Sequence, residues 1–340
     1  MIISVMKNRE KANRGVKMSE DMMNEQTIRE IREASERIRP FVHCTPILTC
    51  NTLDEMCKME IFFKCENFQK VGAFKIRGAT NAVFSLGDKE ASQGVATHSS
   101  GNHAAALALA ASWRGIKAYV VMPENAPGVK RNAVANYGAE IIFCKPTLEA
   151  REEGLAKVVD RTGATFIHPY NDHRVISGQG TAALELCEEI PDLDIVMTPV
   201  GGGGLLSGTA IAVSALSPET YVIAAEPERA DDAYRSFHAG RIIPSDNPDT
   251  IADGLRTSLG DLTFPIIRRY VKEIVTVNEE GIVEAMRLIW ERMKIIVEPS
   301  AAVPLGALLS KHKELSGKRI GVILSGGNVD LENLPWIDRG

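Results

Sequence analysis

Four consecutive glycines, Gly201, Gly202, Gly203 and Gly204, interrupt an uncharged stretch of membrane-spanning length at residues 195–218. Each glycine in a helix interior costs about 1 kcal/mol relative to alanine, so an unbroken span across this run is unfavourable. The stretch reads instead as a strand (IVMTPV), a loop and a helix of small residues. Strand, glycine turn and helix in that order open a βαβ unit, and the rest of the chain repeats the alternation. Short β-branched or aromatic runs at 60–64, 119–122, 140–143, 195–200, 221–225, 274–277 and 320–324 are the expected strands. Helical patterns lie between them. In TIREIREASERIRP, Ile28, Ile31 and Ile38 share one face and Pro40 stops the helix. An alanine-rich helix is expected over 102–111, and Ile282, Met286, Ile289 and Met293 step by four, three and four. The expected fold class is α/β, with open twisted, mostly parallel sheets and helices on both faces.

No repeat or flexible linker divides the 340 residues, so a second domain has to form by excursion and return. The expected division is a polar extension at 1–25, a large domain from 26–87 and 170–340, and a small domain at 88–169. At 44% hydrophobic and 24% charged residues, the composition excludes disordered and fibrous classes. Net charge is −5 with both signs interleaved, which argues against a nucleic-acid or anionic-membrane surface. The six cysteines, Cys44, Cys50, Cys57, Cys65, Cys144 and Cys187, form no C-x-x-C pair and are too sparse for a disulfide scaffold. With charges beginning at Lys7 and no apolar leader core, they point to a reducing, cytoplasmic setting.

In open α/β sheets ligands bind beyond the carboxyl ends of strands, and four punctuation points fall there. In TPVGGGGLLSG the glycines let several N–H groups face one point and the following helix adds its positive end, an anion cradle suited to a phosphate. The run lacks the Gly-Lys-Ser/Thr of a P-loop and departs from G-x-G-x-x-G at Leu206 and Ser207; a plain tight turn is the alternative. Lys75, in FQKVGAFKIRGATNAV, lies between Phe74 and Ile76, where lost solvation favours the neutral, nucleophilic amine. A surface lysine with a buried stem is the commoner meaning of such a pattern. In THSSGNHAAA, Ser99, Ser100, Asn102 and His103 surround Gly101 ahead of a helix, as a receptor for a small carboxylate or as an ordinary N-cap. In ILSGGNVD, Ser325 follows a strand and either bonds a ring nitrogen or caps a turn.

Taken together, ENFQKVGAFKIRGATNA, SSGNH, PVGGGGLLSG, AAEPERADD and LSGGNVD, in this order and spacing, resemble the fold type II pyridoxal-phosphate enzymes, tryptophan synthase β-like in fold. Within them the likeness is to the serine racemase and serine/threonine dehydratase family, over residues 28–331. The resemblance implies that Lys75 forms the Schiff base with pyridoxal 5'-phosphate and that Phe74 lies against the ring. Asn102 would bond the ring hydroxyl, Gly201 through Gly204 with Leu205 would hold the phosphate, and Ser325 would face the pyridine nitrogen. Ser99, Ser100, Asn102 and His103 would take the substrate carboxylate, with Ser100 as the acid on the face opposite Lys75. By the same resemblance Glu226, Asp232 and the carbonyl of Ala230 match a divalent-cation site, and such hard oxygen ligands suit Mg2+, Ca2+ or Mn2+. Without the resemblance those residues read as an acidic turn.

The implied chemistry uses the cofactor as an electron sink while Lys75 removes an α-proton. Three activities follow from the family: dehydration of L-serine or L-threonine to an α-keto acid and ammonia, dehydration of L-threo-3-hydroxyaspartate to oxaloacetate, and serine racemisation. The segments GAFKIRGATNAVFSL, RADDAYRSF, VEPSAAVPL and GGNVDLENLPW also resemble hydroxyaspartate dehydratases. Arg151, in TLEAREE, matches an arginine near the substrate in the racemase branch and is a candidate partner for a distal carboxylate; Arg256 is a second candidate. Surface ion pairing is the usual alternative for an arginine. A non-catalytic carrier of the cofactor is a reading of another class, opposed by the presence of Lys75, Ser100, Asn102 and the whole glycine run. A β-replacement enzyme is opposed by SSGNHA in place of a TSGNTG-like loop. The expected partners are a small amino-acid substrate and, by fold analogy, a second copy of the chain, with no nucleic acid and no membrane.

Overall fold

A computed structural model describes residues 27–337 apart from Ser100 and Pro127. The expected extension at 1–25 and the expected acid Ser100 lie outside the described residues. The described strands are β1 (Ile47–Leu48), β2 (Glu60–Cys65), β3 (Val95–His98), β4 (Ala118–Pro123), β5 (Glu140–Cys144), β6 (Thr165–Phe166), β7 (Ile195–Pro199), β8 (Tyr221–Pro227), β9 (Val271–Val277) and β10 (Arg319–Leu324). Every strand expected from sequence is present. The unexpected ones, β1, β3 and β6, are two to four residues long and carry too little pattern to register.

The strands form a six-stranded sheet, ordered β1-β2-β10-β7-β8-β9, and a four-stranded sheet, ordered β5-β4-β3-β6. Only β1 runs antiparallel to its neighbour; all other pairings of these strands are parallel. Helices therefore have to cover both faces, which explains why β4 and β7 are buried along their whole length. Alternate residues of the large sheet feed two cores: Ile195 and Met197 on one face with Phe63, Val322 and Ile223, Val196 on the other with Val222 and Ile323. The α/β expectation is met. The uncharged stretch is cut as its glycines require, into β7 and a helix at Gly204–Leu216, and no described helix is long and apolar enough to cross a membrane.

Parallel pairing has a consequence for function. Because β2, β10, β7 and β8 are neighbours running the same way, their carboxyl ends lie along one edge of the sheet. The strand ends, loops and helix starts at that edge are the ones that carry Lys75, Ser325, Gly201–Gly204 and Glu226–Asp232. Close helix packing then fixes the loops. A Cβ on Gly178 would meet the Gly78 Cα at 2.6 Å, so the helix that begins at Lys75 lies directly against the helix at His173–Glu189.

One expected helix differs in form. The pattern over Ile282 to Met293 gives an α-helix only at Glu279–Leu288, followed by a π-helical turn at Ile289–Met293 that ends at Lys294 in the left-handed region, φ 61°. The wider turn brings Trp290 Nε1 to the carbonyl of Val297 at 3.0 Å, one residue before the buried Glu298.

Candidate active site

Lys75 opens the helix Lys75–Phe84. Its amine donates to the carbonyl of Pro169 at 3.0 Å and lies 5.1 Å from the centroid of the Phe74 ring. The residue is deep in the protein but not sealed from solvent. Burial holds the amine down to about 8, against the opposing pull of the Glu298 carboxylate. A neutral amine that can still be reached is a nucleophile, and this yields a prediction for cofactor-free protein. The rate at which Lys75 captures a small aldehyde, trapped by borohydride and located by mass spectrometry, should rise through pH about 8. Removing the Glu298 charge with Glu298→Gln should move that midpoint lower; a midpoint near the ordinary lysine value would contradict the site.

The glycine loop follows β7. Among the described residues, no backbone N–H from Gly201 to Leu205 donates a hydrogen bond, and Gly203, at φ 90°, turns the chain into the helix Gly204–Leu216. A set of unpartnered N–H groups at a helix N-terminus is what an anion needs. The glycines are also packed closely on their other side. A Cβ on Gly202 would meet the Tyr170 ring at 2.4 Å, one on Gly204 the Tyr170 Cβ at 2.8 Å, and one on Gly201 the Leu255 Cα at 2.9 Å. Glycine number alone is therefore explained by packing, and the case for a phosphate rests on the free donors.

Asn102 begins the helix Asn102–Arg114, where Gly101 is the N-cap and makes no side-chain cap. Its amide donates to both oxygens of Glu298, at 3.2 and 3.1 Å, and its Oδ1 accepts from Asn328 Nδ2 at 2.9 Å. Burial pushes Glu298 up to about 7, with the Asn102 bond acting the other way. Ser99 Oγ accepts from Gly101 N at 3.3 Å. His103 is buried, with Nε2 against the carbonyl of Ile167 at 3.2 Å and Nδ1 without a partner among the described residues; burial holds its charge off well below the usual range. Ser325 is buried at the end of β10, and its carbonyl accepts from Phe74 N at 3.0 Å.

At the end of β8, Glu226 accepts from the N–H groups of Ala233 and Tyr234 at 2.8 and 2.7 Å. Burial raises Glu226 well above its ordinary value, and the neighbouring Asp232 charge adds to this. Both oxygens of Asp232 are buried without a hydrogen-bond partner among the described residues, although Ser245 lies nearby, and burial pushes this carboxyl up to about 7. Among the described residues no group of three or more His, Cys, Asp or Glu side chains that could hold a metal is found, so these two carboxylates are at most part of a ligand set. Among the described residues the Arg151 side chain bonds only the N-cap of its own helix, from Nε to the Thr147 carbonyl at 3.3 Å, and its charge bears on His98 and Tyr170. Arg256 is different: its guanidinium is committed to the carbonyl of Thr250 and serves the loop that carries it.

A family model described as pyridoxal-phosphate dependent enzyme matches residues 38–326. The chain belongs to the pyridoxal-phosphate dependent enzymes. The beta-hydroxyaspartate dehydratase of Paracoccus denitrificans (strain Pd 1222) is 55% identical over 310 residues, covering 91% of this chain and 98% of that protein. Serine racemase of Dictyostelium discoideum is 51% identical over 318 residues, covering 92% and 97%. Among solved structures, a T.th. threonine deaminase superposes with a TM-score of 0.85 at 45% identity, covering 89% of this chain and 98% of that one.

The residues present fit the family's cofactor. An aldehyde needs an amine that is neutral and reachable, which Lys75 supplies, and a phosphate needs donors with no other partner, which the glycine loop supplies. Sequence reasoning missed Glu298, Tyr170 and Asn328. An acidic residue wedged between the apolar IIV run and Pro299 was the available signal for Glu298. Tyr170 and Asn328 gave none, because their partners are distant along the chain: Gly202 and Gly204 for the one, Asn102 for the other.

Proposed function

We propose that this chain holds pyridoxal phosphate between Lys75 and the Gly201–Leu205 loop and dehydrates a β-hydroxy amino acid to an α-keto acid and ammonia. The observation that carries this reading is the Lys75 amine, held down to about 8 on the carbonyl of Pro169, whose neighbour Tyr170 packs on a loop of unpartnered N–H donors. Bound there, the cofactor supplies an electron sink for the pair left when the α C–H bond breaks. Lys75 binds it, and the freed amine takes the α-proton, a task for which a value near 8 is better matched than that of an ordinary lysine. Phe74 would lie against the ring and Ser325 would face its nitrogen. Asn102, whose amide is held by Glu298 and Asn328, would be the partner of the ring hydroxyl.

Ser99, Ser100 and Asn102 receive the substrate carboxylate at the start of the helix Asn102–Arg114, while His103, buried with Nε2 on the Ile167 carbonyl, is left out of that contact. Ser100 returns a proton from the opposite face when the outcome is racemisation. Glu226, Asp232 and the Ala230 carbonyl hold Mg2+ or a similar divalent cation, supported by the orphaned Asp232 oxygens. Residues 88–169 act as the small domain, since the four-stranded sheet falls wholly within them. The working form is a cytoplasmic homodimer, supported by fold analogy and cysteine usage.

A second reading, L-threo-3-hydroxyaspartate as the preferred substrate, is favoured by the Paracoccus denitrificans relative and by Arg151, whose fork has no acid partner among the described residues. Under it, Arg151→Met should lower kcat/KM for hydroxyaspartate roughly 10–100-fold, the worth of a charge-assisted contact, and leave L-serine within about threefold. Equal loss on both substrates would place Arg151 in general support of the small domain.

A further inference from the structure

We propose that His168 is a positioning residue, a neutral acceptor at Nδ1 that holds the turn at 168–171 in the shape that brings Pro169 to Lys75 and Tyr170 onto the glycine loop. The inference rests on the reading that Lys75 and that loop form the cofactor site. Its geometry is local and unusual: Nδ1 accepts from two successive N–H groups, Tyr170 at 3.3 Å and Asn171 at 2.9 Å. A ring nitrogen that accepts twice carries no hydrogen, so the proton is on Nε2 and the ring is neutral.

Several contacts leave this turn. The Pro169 carbonyl takes the Lys75 amine at 3.0 Å. The Tyr170 side chain fills the space that a Cβ on Gly202 or Gly204 would need. Asn171 accepts from Leu262 N at 2.9 Å and donates to Asp261 at 2.7 Å. Thr263, which follows Leu262, donates from Oγ1 to the Gly202 carbonyl at 2.8 Å. The turn thus reaches the glycine loop twice and the lysine once, and the His168 ring closes it.

The surroundings keep the ring in that state. Burial holds His168 down to about 4, and the charges of His98 and Lys75 act in the same direction; Asp172 and Asp261 oppose them. Phe166 and Tyr170 pack on the ring at centroid distances of 5.5 and 4.5 Å, and His98 stands edge-on at 6.3 Å. Around neutral pH the imidazole works as a fixed acceptor, not as an acid or a base.

Asparagine can supply the same acceptor, because its side-chain oxygen naturally bonds the N–H two residues on. His168→Asn is therefore the rescuing variant, and His168→Ala and His168→Gln, which remove the acceptor or carry it one bond too far, are the disrupting ones. Two readouts are compared. In cofactor-free protein, deuterium exchange of the Tyr170 and Asn171 amides should accelerate at least about tenfold in the Ala and Gln variants and stay within about threefold in the Asn variant. The dissociation constant for pyridoxal phosphate should rise about tenfold in the same two disrupting variants only. Impairment of His168→Asn equal to that of His168→Ala and His168→Gln would overturn the proposal, as would wild-type behaviour of all three. If His168→Ala fails to fold, the contrast between His168→Asn and His168→Gln decides. Wild-type protein that shows the exchange pattern but binds no pyridoxal phosphate would refute the cofactor reading while leaving the turn's design standing.

Discussion

Lys75→Ala is expected to abolish turnover, by at least about 10^4-fold, because one amine serves as both the covalent attachment point and the general base. The fold should survive the change. In the cofactor-free protein this lysine is held below its ordinary value by burial, so its charged form is disfavoured in the folded state and not in the unfolded one. Between pH about 8 and the unfolded value of 10.5 the unfolded chain binds the extra proton, and wild-type stability should therefore rise with pH in that window. Lys75→Ala should lose that rise without a drop in thermal midpoint near neutrality. A variant that keeps substantial turnover would remove Lys75 from the site. A variant that is inactive because it is unfolded would show instead that the amine contact to Pro169 is structural.

Arg77→Met should have the largest effect on stability. Two residues beyond Lys75, the Arg77 guanidinium is fully buried and meets Glu66 through Nε at 2.7 Å and Nη2 at 2.9 Å, and Glu185 through Nη1 and Nη2, both at 2.7 Å. Thr181 accepts a further bond at 3.1 Å. Lys64, also buried, reaches Glu185 at 2.6 Å and the Thr45 carbonyl at 2.6 Å, while the Thr45 hydroxyl donates to Glu66 at 2.6 Å. Two cations and two carboxylates thus neutralise each other inside the protein. Burial alone would lower Arg77; Glu66 and Glu185 outweigh it and hold the guanidinium above its ordinary value. Taking the arginine away leaves two carboxylates sharing one lysine, and breaking a buried pair in this manner costs about 3–5 kcal/mol. The thermal midpoint should fall on the order of 5–15 °C. A change below about 1 kcal/mol would mean that water enters and replaces the guanidinium. The network also joins the helix that begins at Lys75 to the helix at His173–Glu189, so the lysine's placement depends on it.

What could be read from sequence divides along a physical line. The alternation of elements, the parallel sheet and the residues at strand ends were legible because each is encoded locally: Gly201–Gly204 must turn, and Lys75 among apolar neighbours must lose solvation. Placing Lys75 and the glycine loop on one cofactor came from resemblance, since no spacing rule says that β2 and β7 flank β10. Contacts made across the fold stayed hidden. Asn102 could be marked as polar and near a helix start, but not as the ligand of Glu298, 196 residues away. His103, expected to face the substrate, is a buried ring with one nitrogen on the Ile167 carbonyl, and Arg256 is taken up by Thr250. The strand β3 escaped notice because VATH has only two apolar residues, yet it delivers Ser99 and Asn102 to the cleft.

The most direct test of the account is α-keto acid release by protein loaded with pyridoxal phosphate. L-serine, L-threonine, D-serine and L-threo-3-hydroxyaspartate are offered side by side, with Mg2+ and with chelator. Dehydration at the Lys75 site predicts ammonia and α-keto acid in equal amounts from at least one L-β-hydroxy amino acid, with chelator lowering the rate if Glu226 and Asp232 hold a cation. Tight cofactor binding with no keto acid from any of the four would contradict it and leave a carrier of pyridoxal phosphate in its place.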